Sequence, residues 1–188
     1  SGVDNLAFSE GVDGLLGGRN APTVWNSAFH EVQFWGGRAA SLEAQSIGPM
    51  VNPVEMGMKN HDVVMSVIAD IPGYVSQFDK VFGKNAVTID NTAKAIAAYE
   101  RTLITPNSPF DAFVREEAHP QEMTQYQKKG MDLFAQIGCV SCHSGAAFNG
   151  PSVPGGFYVP FPTFDNSPYV AKYDLKADKG RGEVTGVA

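Results

Sequence analysis

The sequence predicts a mainly α fold with long loops. Apolar residues recur at three- and four-residue spacing over 90–104, and a shorter apolar run over 60–70 reads the same way. Capping residues stand just before several such runs. Stretches of Pro, Gly and aromatic residues without a strong period separate them.

Taken in order, residues 1–23 are Gly-rich and irregular. Residues 24–58 are mixed, with a short helix at Ser41–Ser46 that Ser41 can cap. Residues 60–70 read as a helix with Asn60 as N-cap and apolar residues at Val63, Val64, Val67 and Ile68. Pro72 breaks it and opens the next, 72–82, which Gly83 ends. Residues 90–104 are the clearest helix, rich in Ala. TPNSP makes a turn, and 108–116 a short helix. Residues 124–137 form another, with Thr124 and Gln127 as a capping box and Gly138 as the stop. From 144 on the chain reads as a loop.

The 188 residues with 43% hydrophobic content suffice for one large or two small globular domains. The net charge of −6 argues against a nucleic-acid partner, since a phosphate backbone wants clustered Lys and Arg. The nearest to a basic patch is Lys128–Lys129. No apolar run approaches the roughly 20 residues of a membrane span. No signal peptide is visible, which fits a cytoplasmic chain, a mature one or a fragment. The chain opens on a loop and stops without a closing element, so both ends are expected to be cut.

The two cysteines of the chain lie together in IGCVSCHSG, residues 137–145. Cys139, Cys142 and His143 spell Cys-x-x-Cys-His. Two thiols can add to the two vinyl groups of haem, and the adjacent histidine can reach the iron from one face. Zinc would want two more Cys or His ligands at short spacing, and His119 stands alone. A redox dithiol would follow a strand in a βαβ unit, and none is visible. A disulfide is the remaining rival. Haem c is the reading adopted, and it places the protein outside the bacterial cytoplasm, in the periplasm. An electron-transfer haem normally has a second axial ligand, often Met, but none of the six Met residues follows His143. Met131, on the helix entering the motif, reads as core.

A small c-type domain needs about half of this length. The rest resembles the bacterial di-haem cytochrome c peroxidases and their MauG-like relatives. The resemblance is carried by residues 17–58, which include RNAPT, FWGGRAASLEAQ and NPVEMG, by 90–113, and by 128–145. It implies two cytochrome-c-like helical domains with long loops, the first incomplete. Residues 1–116 would be part of the peroxidatic domain without its haem-attachment motif. Residues 117–188 would be a C-terminally incomplete electron-transfer domain. The second haem would attach upstream of Ser1, and the missing axial Met, or Tyr in MauG-like enzymes, would follow Ala188.

The same resemblance implies roles residue by residue. Trp35 matches a tryptophan between the two haems. Gln45 and Glu55 match a polar pair on the distal side of the peroxidatic haem. Asn20 matches a side chain that helps hold a calcium ion. Cys139, Cys142 and His143 match the electron-transferring haem site. The chemistry agrees, because splitting O–O unevenly needs a proton moved between the two peroxide oxygens, and a carboxylate such as Glu55 can move it. Taken singly, each residue has a plainer reading: Trp35 as core, Glu55 as a cap or a partner of Arg38, Asn20 as a turn residue. His30, His61 and His119 read as surface or satisfied core. Counting back from RNAPT, a position that is histidine in many members is here Val12, which cannot ligate iron. That implies a peroxidatic haem that is five-coordinate or water-bound at rest.

The expected function is therefore reduction of hydrogen peroxide. Electrons would come from a small donor protein, a cytochrome c or a copper protein, with a homodimer as the usual assembly. The acidic chain suits a donor with a basic rim. The alternatives are a MauG-like oxidase that modifies a protein partner and a plain electron-transfer cytochrome.

Overall fold

Helices begin where a side chain can accept a hydrogen bond from a first-turn amide. The computed structural model describes residues 2–118, 121–145, 148, 150 and 166–186. Ser41 caps α1 (Leu42–Val51) through Ala44 N. Asn60 caps α2 (His61–Ala69) through Val63 N. Helix α3 (Pro72–Phe82) starts on its proline, and Thr88 caps α4 (Ile89–Glu100) through Asn91 N. Reciprocal capping boxes start α5 (Pro109–Val114), with Ser108 and Asp111, and α6 (Gln125–Gln136), with Thr124 and Gln127. Two short helices follow, α7 (Pro168–Lys172) and α8 (Gly182–Thr185). Among the described residues the only β pairing is two isolated bridges, Glu10–Leu16 and Gln33–Ala39. The chain is mainly α, as the sequence predicts.

Three expectations need correction. Helix α1 does not stop at Ser46 but runs on through Pro49 to Val51. Leu42, Ser46 and Met50 are buried at four-residue spacing, so one face stays in the core across the proline. Helix α4 ends at Glu100 rather than 104. Pro106 biases Thr105 away from helical backbone, and the chain leaves through turns, with Thr102 Oγ1 donating to Tyr99 O at 2.7 Å. The tail read as loop from 144 on contains α7 and α8, each too short to show a period; Ser167 and Pro168 supply the start signal of α7. Residues 151–165 lie outside the described residues, as does His119.

The chain divides into two units, one of Ser1–Ile104 with Gly180–Ala188, the other of Thr105–Lys179. In the first, α1 and α4 are the helix pair in most extensive contact. Ala93 and Ala97 are buried on α4, Ala97 completely, which permits close helix approach. His61 Nε2 lies 2.9 Å from Ile47 O and ties the start of α2 to α1. This histidine is engaged structurally. In the second unit, α6 leads directly into a 3-10 turn, Cys139–Ser141.

An ion pair joins the first turn of α1 to the end of α4: Arg101 Nη1 donates to Glu43 Oε1 at 2.7 Å. Both charges suit the helix ends they occupy. The Arg101 hydrogen bond, then Glu43's own backbone, hold the Glu43 carboxyl down at about 2. Burial pushes Glu100 the other way. Glu43's lowered value means its stabilisation is present above the unfolded value of about 4.3 and is lost as pH falls towards 2. The pair is largely exposed, so Glu43→Gln is expected to cost about 0.5–1 kcal/mol at pH 7. That deficit should shrink by pH 3, measured as denaturation midpoints of the full-length protein.

Candidate functional site

The cysteine motif sits where α6 ends. The chain reverses at Gly138 and enters the 3-10 turn of Cys139–Ser141. Ser141 Oγ donates to Gly138 O at 2.6 Å, and His143 N donates to Cys139 O at 2.8 Å. These bonds tie both cysteines and the histidine into one tight turn. Both thiols are free, Cys139 half-buried and Cys142 exposed. His143 Nδ1 lies 3.1 Å from the carbonyl oxygen of Phe148. A carbonyl can only accept, so Nδ1 carries the proton and Nε2 is left as the ligating nitrogen. Two free thiols and a histidine with Nε2 available fit haem c.

Aromatic rings back this histidine. Phe134 of α6 has its ring centroid 6.3 Å from the His143 ring. Phe148 meets Phe134 edge-on at 6.3 Å, and Phe110 lies 5.3 Å from Phe148. The sequence reading missed all three. The available signal was local: Phe134 lies on the helix that delivers the motif, and Phe148 follows closely after His143.

In the other unit, Glu55 occupies a turn that folds back on the end of α1. Met56 N donates to Pro49 O at 3.2 Å and Met58 N to Met50 O at 3.0 Å. Glu55 is held at both ends of its backbone: its N donates to Asn52 O at 3.0 Å, and its O accepts from Val12 N at 2.8 Å. Its carboxylate is little used. Oε1 lies 4.0 Å from Arg38 Nη2, the outer limit of an ion pair. Oε2 is shielded and has no hydrogen-bond partner. The Arg38 guanidinium stacks 3.4 Å from the centre of the Phe34 ring.

The Val12 loop rests on this turn because residue 11 is glycine. A Cβ there would fall 2.1 Å from Val54 O and 2.7 Å from Glu55 O, both backbone atoms. The close approach lets Val12 N reach Glu55.

Trp35 is 62% exposed, and its indole Nε1 donates to Asn20 O at 3.0 Å. A plain core role for Trp35 does not fit that exposure. Asn20 uses its carbonyl here and is itself exposed. Gln45 is half-buried on α1, one helical turn before Pro49. The residues singled out from sequence thus fall into groups: Asn20 with Trp35, and Val12 with Glu55 and Arg38, in one unit, and Cys139, Cys142 and His143 in the other. Among the described residues no group of three His, Cys, Asp or Glu could hold a metal ion. No described helix is long and apolar enough to cross a membrane.

Known proteins align with these features. The family model for di-haem cytochrome c peroxidase matches residues 1–119. The chain is 42% identical over 185 residues to a cytochrome c551 peroxidase of Nitrosomonas europaea, covering 98% of this chain and 52% of that protein. It is 40% identical over 190 residues to a cytochrome c551 peroxidase of Pseudomonas aeruginosa, covering 98% and 51%. The chain thus spans about half the length of these relatives. Its fold is similar to that of a MauG-like protein associated with microbial copper homeostasis, with a TM-score of 0.72, 22% identity, and 97% of this chain and 55% of that one covered. The residues that the family model covers include the Glu55 turn and the Trp35 turn, and the longer alignments run on through the haem motif; the chain belongs to the di-haem cytochrome c peroxidase family.

Proposed function

We propose that the chain is part of a periplasmic di-haem peroxidase that converts hydrogen peroxide, two electrons and two protons into two waters. The observation that carries this is the Cys139–Cys142–His143 turn, with both thiols free and the His143 Nδ1 position spent on Phe148 O. Cys139 and Cys142 would hold haem c through thioethers, and His143 would ligate its iron through Nε2. Haem c there supplies a one-electron relay. The Phe148 carbonyl would hold the orientation of His143, and the Phe134 ring packs near its imidazole.

Residues 1–116 are assigned to the peroxidatic domain and 117–188 to the electron-transfer domain. A second attachment motif is not among these residues, which hold two cysteines. Glu55 is assigned the proton movement at the reacting peroxide, as base and then acid. Gln45 is assigned a hydrogen bond to peroxide or water. Trp35 is assigned to the electron path between haems. Val12 supplies no nitrogen ligand, so this reading needs no reductive release of a distal histidine. Asn20 is the residue assigned to calcium.

The electron source is assigned to a small protein with a basic rim, and the assembly to a homodimer. The full-length haem-loaded protein, given peroxide and a reduced small cytochrome c, should oxidise the donor with kcat/KM for peroxide of about 10⁴–10⁸ M⁻¹s⁻¹. Absence of peroxide-dependent donor oxidation would overturn the assignment. Oxidation of a protein side chain in its place would favour the MauG-like alternative.

A further inference from the structure

The Trp35 turn is a strained piece of backbone. Phe34 has φ of 65°, a left-handed value that non-glycine residues rarely adopt. Such a conformation persists when the surroundings over-determine it. Within the turn, Gly37 N donates to Phe34 O at 3.1 Å and Gln33 N to Ala39 O at 2.8 Å. A further restraint, beside the Arg38–Phe34 stack and the Trp35–Asn20 hydrogen bond, comes from a distant part of the chain. The chain leaves this unit after Ile104 and rejoins it at Gly180.

The returning segment reaches the residues just after Trp35. Arg181 Nη1 donates to Gly36 O at 3.4 Å. Gly37 has φ of 68°, and a Cβ on it would fall 2.0 Å from Arg181 Nη1 and 2.8 Å from Val32 Cγ2. The guanidinium therefore occupies the space where a side chain would begin. A Cβ on the buried Gly36 would lie 3.4 Å from Arg19 Nη1, 3.5 Å from Gly180 O and 3.7 Å from Val184 Cγ2. Glu183 Oε2 accepts from Arg19 Nη2 at 3.1 Å. Arg19 precedes Asn20, whose carbonyl accepts the Trp35 indole. Arg19 and the segment thus meet on the turn that carries Trp35.

We infer that residues 180–184 act as a strap, with Arg181 and Glu183 as positioning residues that fix the Trp35 turn. The role for electron transfer rests on the proposed assignment of Trp35 to the electron path. The strap itself rests only on the contacts above.

The test uses the full-length haem-loaded protein. Hydrogen–deuterium exchange is followed for peptides spanning 31–40, with α4 as the folding reference. In Arg181→Met the 31–40 amides should exchange at least about tenfold faster while α4 is unchanged. Glu183→Gln should give a smaller rise, since that pair is half exposed. Unchanged exchange over 31–40 in both variants overturns the strap. If α4 also exchanges faster in Arg181→Met, Glu183→Gln decides, because it leaves Arg181 in place and removes only the charge that holds Arg19: a rise confined to 31–40 supports the strap, and none overturns it. Donor-driven turnover tests the electron-transfer role separately from the strap. If Trp35→Phe turns over normally, the electron-path assignment fails and the exchange result still judges the strap. If Trp35→Phe is slow, Arg181→Met should also be slowed, with KM for peroxide unchanged. Normal turnover in Arg181→Met would then overturn its part in electron transfer.

Discussion

Replacing both Cys139 and Cys142 by alanine in the full-length protein should remove covalently held haem from this motif and abolish donor-driven peroxide turnover. Covalent haem per chain should fall from about two to about one, read on a denaturing gel stained for haem. Each thiol is free, and the turn keeps its own hydrogen bonds, so the loss would be chemical rather than a collapse of the loop. His143→Ala separates attachment from ligation. It should retain covalent haem, because both thiols remain, but change the iron's optical spectrum, because the nitrogen set up by Phe148 O is gone. Full donor-driven turnover in the double cysteine variant would overturn electron entry at this site. Retention of two covalent haems would overturn the attachment itself.

The features legible from the sequence are those whose causes are local. The capping pairs Ser108–Asp111 and Thr124–Gln127 form across one helical turn, and both occur as hydrogen bonds in the structure. The cysteine motif is likewise contiguous. Local rules failed at Pro49, where core burial of Met50 outweighs a proline's preference against helix interiors. They failed again at α7 and α8, where a helix of one turn leaves too few residues for a period. The arrangement around the Trp35 turn was out of reach for a different reason. Arg181 and Gly36 are 145 positions apart, and the pairing depends on space left by Gly37 that no local pattern announces. Glu55 illustrates a middle case. Its residue type and family position drew attention to it, but the docking of Gly11 and Val12 onto its backbone required the fold.

Glu55→Gln is the second change expected to have a large effect. The substitution keeps the size of the side chain and its capacity to accept hydrogen bonds, but removes a group that can take up a proton and return it. If Glu55 performs that transfer, kcat/KM for peroxide should fall about 10²–10⁴-fold, the usual contribution of positioned acid–base catalysis. Covalent haem content should not change, because the motif lies in the other unit. The competing explanation makes Glu55 a structural partner of Arg38. At 4.0 Å, with both side chains partly exposed, that pair is worth at most about 1 kcal/mol. It therefore predicts a small drop in stability with turnover intact. The anchoring of Glu55 favours the catalytic role, since its backbone is held by Asn52 and Val12 while Oε2 has no hydrogen-bond partner. Gly11→Ala offers an independent check, because it keeps the carboxylate but must push the loop off the Val54 and Glu55 backbone. Both variants should lose peroxide turnover under the catalytic reading, and only Gly11→Ala should lose the slow hydrogen exchange of the Val12 amide. Wild-type peroxide kinetics in Glu55→Gln would assign the carboxylate to Arg38 and return the proton transfer to another group.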